Sequence, residues 1–390
     1  MFRAESLCVF VACGLFLPRL AGAVEVSVQS RTELVQALRG ARAGTTIVIA
    51  PGRYEGGISQ AGLSGTAEQP ILVRGADAKN PPVFDGGNSG IHFSSARHLE
   101  LRDLVIQGSK GNGLNLDDGN AVGSAHDIVL SHVVVRDVGP EGNRDGIKLS
   151  GLNRFRLEQC DISQWGSGGS GVDMVGCHDG ELADCRVRDA RSDGANGIQA
   201  KGGSRNISIR RCRFENAGGR GVNAGGSTGL PYFRPSDAAY EAKDITIEDC
   251  EFAGVQAAVA FVGVDGATVR HNTIYRPRRW AFRILQENND PRFVPSRNGR
   301  IEKNVIVFRS DELSMAFNIG GMTASESFVL MGNAWYCSDR PGQGQRALRL
   351  SPLTEQGGTY DQDPGLRDPE AGDLGRTRTG AGDPGVRPAK

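Results

Sequence analysis

The sequence predicts an all-β solenoid, a parallel β-helix closed at its N-terminal end by a short helix. Three observations predict it. A four-residue strand pattern recurs along the chain, a second column of residues keeps register with that pattern, and the repeats carry no helical 3.6-residue period. The pattern is small, apolar, variable, apolar. It runs from Gly90-Ile91-His92-Phe93 and Gly113-Leu114-Asn115-Leu116 through Gly146-Ile147-Lys148-Leu149 to Gly221-Val222-Asn223-Ala224. Alanine then replaces glycine in Ala258-Val259-Ala260-Phe261, Ala281-Phe282-Arg283-Ile284 and Ala316-Phe317-Asn318-Ile319. Such alternation marks a strand with one buried face. The spacing of roughly 22 to 37 residues is that of a solenoid coil and too short for most propeller blades.

The second column reads Leu104, Val133, Cys160, Cys185, Cys212, Cys250, Asn272, Asn304 and Asn333, each followed two places on by a large apolar residue. Stacked parallel coils turn such a column into a ladder of like residues about 4.8 Å apart. That spacing is longer than a relaxed disulfide wants between Cβ atoms, so the cysteines are expected as buried free thiols despite the extracellular context read below. The asparagines are expected to satisfy backbone groups at the turns. Before the first coil, Ser30 and Glu33 form a capping box for a helix whose apolar face is Leu34 and Leu38. Such a helix covers an otherwise exposed strand edge.

Composition narrows the function. Lys+Arg and Asp+Glu are both 45, a balance that argues against nucleic acid as partner. Residues 1–23 read as a secretion signal, with Arg3, an apolar run from Leu7 to Leu17 and the small residues Ala21-Gly22-Ala23. The run is too short for a membrane anchor. The mature protein is thus expected to be secreted or periplasmic and monomeric. Residues 24–362 form the β-helix domain with its cap, and 363–390 a tail rich in Pro, Gly and charge.

The segment from Val26 to Gly86 (VSVQSRTELVQALRGARAGTTIVIAPGRYEG, then GTAEQPILVRG and PVFDGG) resembles the N-terminal part of the polysaccharide lyase family of chondroitinase B and the alginate lyases. The later coils resemble the wider pectate-lyase-like superfamily, so the likeness spans about residues 25–340. The resemblance implies a single-stranded right-handed parallel β-helix. It also implies an acidic polysaccharide as substrate and a lysine–arginine pair beside calcium.

The residues themselves point to one face. The variable positions and those two places on bring Asn115, Asp117, Lys148, Asp173, Gln199, Lys201, Asn223 and Arg283 together on one sheet, against the usual strand propensities. Extra residues follow this strand at 118–125, 225–243 and 286–298, where they are expected to wall a groove. They supply Tyr232, Phe233 and Arg234 for stacking on sugars and pairing with acids. With Asn115, Gln199 and Asn223 these make the expected substrate contacts.

Elimination from a uronic acid needs a base for the C5 proton, a cation for the developing enolate and an acid for the leaving oxygen. Lys148 is the first candidate base and Lys201 the second, with Arg283 or Arg234 on the carboxylate. An outward-facing Lys148 is expected to contribute little to stability. Asp117, Asp118, Asp145 and Asp173 form a candidate Ca²⁺ set, since calcium takes six to eight oxygens. Two alternatives remain open here. One is a glycoside hydrolase using Asp117 with Asp118 or Asp173; the other is a non-catalytic polysaccharide-binding or structural β-helix.

Overall fold

A computed structural model describes residues 24–313, 315–348, 350–377 and 383–387. The expected signal segment, with Cys8 and Cys13, lies outside the described residues. Ten strands pair in parallel in chain order to form one long sheet, from Ile58–Ala61 and Ile91–Ser94 to Trp280–Leu285 and Met315–Ile319. We call it the cleft sheet. Leu114 lies opposite Ile147, then Val172, Ile198 and Val222 follow in the same column, all buried. Each middle coil adds two more strands, as in Ser204–Arg210 and Arg213–Glu215, which pair with Ala242–Glu248 and Glu251–Ala253 of the next. The chain is therefore a parallel β-helix. One coil begins earlier than the repeats indicate, because Gln60 stands where Ile58–Ala61 would otherwise show its second apolar residue.

Two local features set the coil. The small residue that opens the cleft strand sits in a crowded corner: a Cβ on Gly171 would lie 2.8 Å from Gly197 O and from Val187 Cγ1. The turn between the second and third strands uses one residue in the left-handed region, including Asp103, His132, Gln159, Asp184, Arg211 and Asp249 at φ between 51° and 55° or 57°. Asp, Asn and His tolerate this region better than most side chains. Each of these residues directly precedes a member of the second column.

That column faces inward. Cys160, Cys185, Cys212 and Cys250 are buried and free, as are Cys177 and Cys337. The asparagines extend the ladder: Cys250 N–H donates to Asn272 Oδ1 at 2.9 Å and Asn272 N–H to Asn304 Oδ1 at 3.0 Å. Their Nδ2 groups donate to the carbonyls of Ile247, Val269 and Ile301 at 2.8–3.0 Å. Glu355 ends the ladder by accepting from Asn333 N–H and Nδ2 and from Trp335 Nε1.

At the other end, helix Arg31–Gly40 buries Leu34 and Leu38, and Ser30 Oγ accepts from Glu33 N–H at 3.2 Å. Glu33 reaches back to Gln29 N–H at 2.7 Å. The C-terminal segment returns along the coils. Its strands Leu366–Asp368 and Asp373–Arg376 pair antiparallel, Tyr275 donates to Glu370 at 2.5 Å, and Arg387 pairs with Asp249. Among the described residues no helix is long and apolar enough to cross a membrane.

Thiol titration of the denatured, unreduced chain from Val24 onward should find all six cysteines free; any loss of titratable thiol marks a bridge. Asn304→Ala removes the acceptor for Asn272 N–H and leaves Val269 O without its donor. It should lower the unfolding free energy by about 3 kcal/mol in urea titrations. A cost below about 1 kcal/mol would show that water replaces the amide.

Candidate functional site

The outward face of the cleft sheet opens into a cavity of about 610 Å³ between the coil bearing His92 and the loop after Gly225. Its floor comes from alternating strand positions: His92, Lys148 and Lys201 project outward while their neighbours Ile91, Ile147 and Ala200 are buried. The wall comes from the insertions. Residues 118–120 form one side, and Thr228, Tyr232 and Arg234 the other.

Two polar groups meet there. In the first, His92 Nε2 lies 2.6 Å from Asp117 Oδ2, and Asp117 also accepts from Asn115 Nδ2 and Gly119 N–H at 2.9 Å. Burial opposes ionisation of Asp117, but these bonds, with Ser94, hold its carboxyl below the usual range. An ionised carboxylate only accepts, so the bond to Asp117 puts a proton on His92 Nε2. In the second, Lys148 Nζ bonds Asp173 and lies 3.4 Å from Asp145. Lys201 Nζ lies 3.5 Å from the same Asp173 oxygen and 3.3 Å from Gln199.

The second group corrects the expected base. Burial alone would lower the Lys148 pKa, but Asp173 and Asp145 outweigh it and hold the pKa above the ordinary value. Lys148 is an ammonium at neutral pH. Burial, with Asp173 close by, pushes Asp145 up to about 6. Nor is Lys148 a free surface lysine, since its two carboxylate partners are only 3% and 1% exposed.

Other expectations are corrected as well. The four aspartates do not form one calcium cage. Asp117 serves His92, Asp118 is paired with Arg234 at 2.8 Å, and Asp145 and Asp173 surround Lys148. Cationic groups already occupy the spaces between them, so the residues do not fit the ion. The His98–His126–Asp127 group is compact enough for a metal, yet Arg154 bonds both Asp127 oxygens at 2.8–2.9 Å.

Phe233 does not face the groove: it is buried against Phe293 and Arg292. Asn223 and Gln199 do not line the cavity: both are buried in the sheet, bonded to Arg220 and to Ser170 and Gly225 respectively. Arg283 lies five strands from Lys148 along the sheet, about 24 Å at the parallel spacing, and does not join it. Lys201, Tyr232, Arg234 and Asp117 do line the cavity.

Three contributors escaped the sequence. His92 stood in the variable column without a role, and its position beside Asn115 and Asp117 was the available signal. Buried Glu241 has no such signal. It accepts from Gly202 N–H, Thr228 N–H and Thr228 Oγ1 at 2.8–2.9 Å and so pins the wall loop to the sheet. His178 Nε2 lies 3.0 Å from Arg234 O and braces the same loop. The third insertion supports it from behind, through Asn288 to Thr228 O and Arg292 to Ser236 O.

A family model described as "Right handed beta helix region" matches residues 71–238. The chain has a right-handed parallel β-helix fold. Among solved structures, this β-helix is similar to the A-module of a mannuronan C-5 epimerase from Azotobacter vinelandii. That match has 16% identity and a TM-score of 0.56, covering 88% of this chain and 97% of that one. It is similar to an alginate lyase from Paenibacillus sp. str. FPU-7 at 19% identity and TM-score 0.52, covering 77% and 98%. It is also similar to a lacto-N-biosidase from Eubacterium ramulus at 13% identity and TM-score 0.54, covering 88% and 69%. At these identities the TM-scores show a shared fold. No curated protein sequence matches the chain significantly.

The ammonium of Lys148 offsets two nearly buried carboxylates, so Lys148→Ala should destabilise the fold by about 3 kcal/mol at pH 7.5. The folded pKa of Asp145 is already raised, so the native state binds more protons than the unfolded chain between about pH 4 and 6. Stability therefore falls as pH rises through that window. Without the ammonium the fall steepens, and the gap between variant and wild type should narrow at pH 4.5. Urea titrations at both pH values test this; a gap that does not narrow at pH 4.5 overturns the reading.

Proposed function

We propose that the protein is a secreted polysaccharide lyase that cleaves a uronic-acid polymer by β-elimination in the cleft. The observation that carries this reading is the grouping within one cavity of a His–Asp pair with three side-chain cations, Lys148, Lys201 and Arg234. The proposed step uses the His–Asp pair and the two lysines, while Arg234 is held on Asp118 at the wall. His92 Nδ1 takes the C5 proton of the uronate while Asp117 stabilises the imidazolium that forms. The C5–H electrons move into the new C4–C5 double bond as the C4–O bond breaks. The Lys148 and Lys201 ammonium groups meet the negative charge that develops on the carboxylate. Tyr232, exposed at the rim, donates its phenolic proton to the departing sugar oxygen.

The fold likeness to proteins named as an alginate lyase and a mannuronan C-5 epimerase supports this reading, because elimination and C5 epimerisation begin with the same proton abstraction. A hydrolase needs two carboxylates facing the scissile bond. Asp117 faces the cavity, but Asp118 is 3% exposed and engaged by Arg234. The cleft therefore favours elimination.

Incubation with alginate, polygalacturonate and glycosaminoglycans should yield unsaturated products, seen by ultraviolet absorbance, from at least one polymer. His92→Ala should lower that rate by about 100-fold or more. Reducing ends released without ultraviolet absorbance would identify a hydrolase instead, and no product from any polymer would favour a binding protein.

A further inference from the structure

Beyond the cleft, along the same sheet face, lies a second concentration of charge. Trp280 and Arg283 stand on the strand Trp280–Leu285, and Arg220 on the strand Arg220–Gly225 two positions back along the sheet. The Trp280 ring carries two guanidinium groups, with Arg279 Cζ 4.3 Å and Arg283 Cζ 4.4 Å from its centroid. Arg283 donates to Asn318 Oδ1 at 2.9 Å, a neutral partner. Arg220 donates to Asn223 Oδ1 at 3.1 Å and pairs with Glu287 at 2.7 Å. That orientation leaves the buried Asn223 Nδ2 with no acceptor.

Arg283 thus meets a neutral side chain where Arg220 meets Glu287. Burial, followed by the charge of Arg220, pushes the Arg283 pKa down to about 10, as expected of a cation lacking an anion. Guanidinium groups held by an aromatic ring and by side-chain carbonyls are pre-organised to take a carboxylate.

We propose that Arg220, Arg279 and Arg283, set around Trp280, form a second anion-binding site that takes the carboxylate of a uronate residue. The site lies several sugar units along the polymer bound in the cleft. The inference rests on the proposed acidic substrate but not on its cleavage. It assigns Arg283 to affinity for long chains, apart from the catalytic group around Lys148. A chain running across the parallel strands would reach both places, whereas a short oligomer would fill the cleft alone.

Calorimetric titration with short and long oligouronates prepared from alginate and polygalacturonate tests this directly, since it reads binding whether or not elimination occurs. Wild-type protein should bind the long oligomers of one series more tightly than the short ones, with an affinity that falls as salt is raised. Arg283→Gln should weaken the long oligomers by about tenfold and flatten their salt dependence, with little change for the short ones. Arg279→Gln, at an exposed position, should act in the same direction even if Arg283→Gln perturbs the fold, which thermal melts would reveal. Arg270→Gln, on another sheet and paired with Glu248, is the charge-matched control. Equal affinity of both cleft-face variants and wild type for long oligomers would overturn the site. So would equal weakening of short and long oligomers, or no binding of either series. Unsaturated products with unchanged binding in the variants would sink this site alone. Arginine-dependent binding without such products would sink the lyase reading alone.

Discussion

Parallel backbone pairing, coil on coil at one strand spacing of about 4.8 Å, is the constraint from which the other features of this protein follow. Each strand hydrogen-bonds to its equivalent in the coils before and after, so every side chain meets the side chain at the same place in the next coil. Inward, that rule builds the apolar column from Leu114 to Phe317. At the turns it demands the same left-handed residue and the same tight corner again and again. The buried asparagine ladder extends the rule to polar groups, since an amide that both donates and accepts can satisfy the turn below while being satisfied by the one above.

On the outward face the same spacing sets an electrostatic problem. Charges in one column are held about 5 Å apart with low-dielectric protein beneath them, so like charges cannot follow one another cheaply. The floor of the cleft resolves this by setting Asp173 beside Lys148 in one column, while Lys201 of the next column reaches the same carboxylate. The arrangement leaves ammonium groups facing the cavity and carboxylates below them. It also explains why a lysine in a walled groove is not a base here: its partners are anions, and they outweigh its desolvation. In the proposed elimination the base is instead His92, two coils earlier in the same column.

The walls obey a different logic. Residues 226–241 are too long to follow the coil, and the buried carboxylate of Glu241 ties them down by collecting donors from two segments. The aromatic pair Phe233 and Phe293 joins this loop to the third insertion, which is why Phe233 is lost to the solvent while Tyr232 beside it is displayed. Two adjacent aromatic residues in one loop thus divide between packing and display.

By itself, the sequence determined the coils, their register, the helical cap, the thiol and asparagine ladders and the face that carries the polar strip. All of these repeat or are local, and a pattern that recurs at a fixed period is visible without coordinates. It also marked Lys201, Tyr232, Arg234 and Asp117, which line the cavity. Only the tertiary structure decided how these residues combine. The spacing sets Asp173 beside Lys148, but nothing in it reveals that Asp118 meets Arg234, 116 positions away, or that Asp145 joins Asp173 against Lys148. A column position says which way a side chain points but not how far along the solenoid it lies from its partner, so Arg283 was grouped with a lysine about 24 Å distant. Ionisation states depend on which carboxylates adjoin each cation, and the wall contacts depend on how the insertions fold. Because the insertions do not repeat, no period in the sequence encodes where they fold.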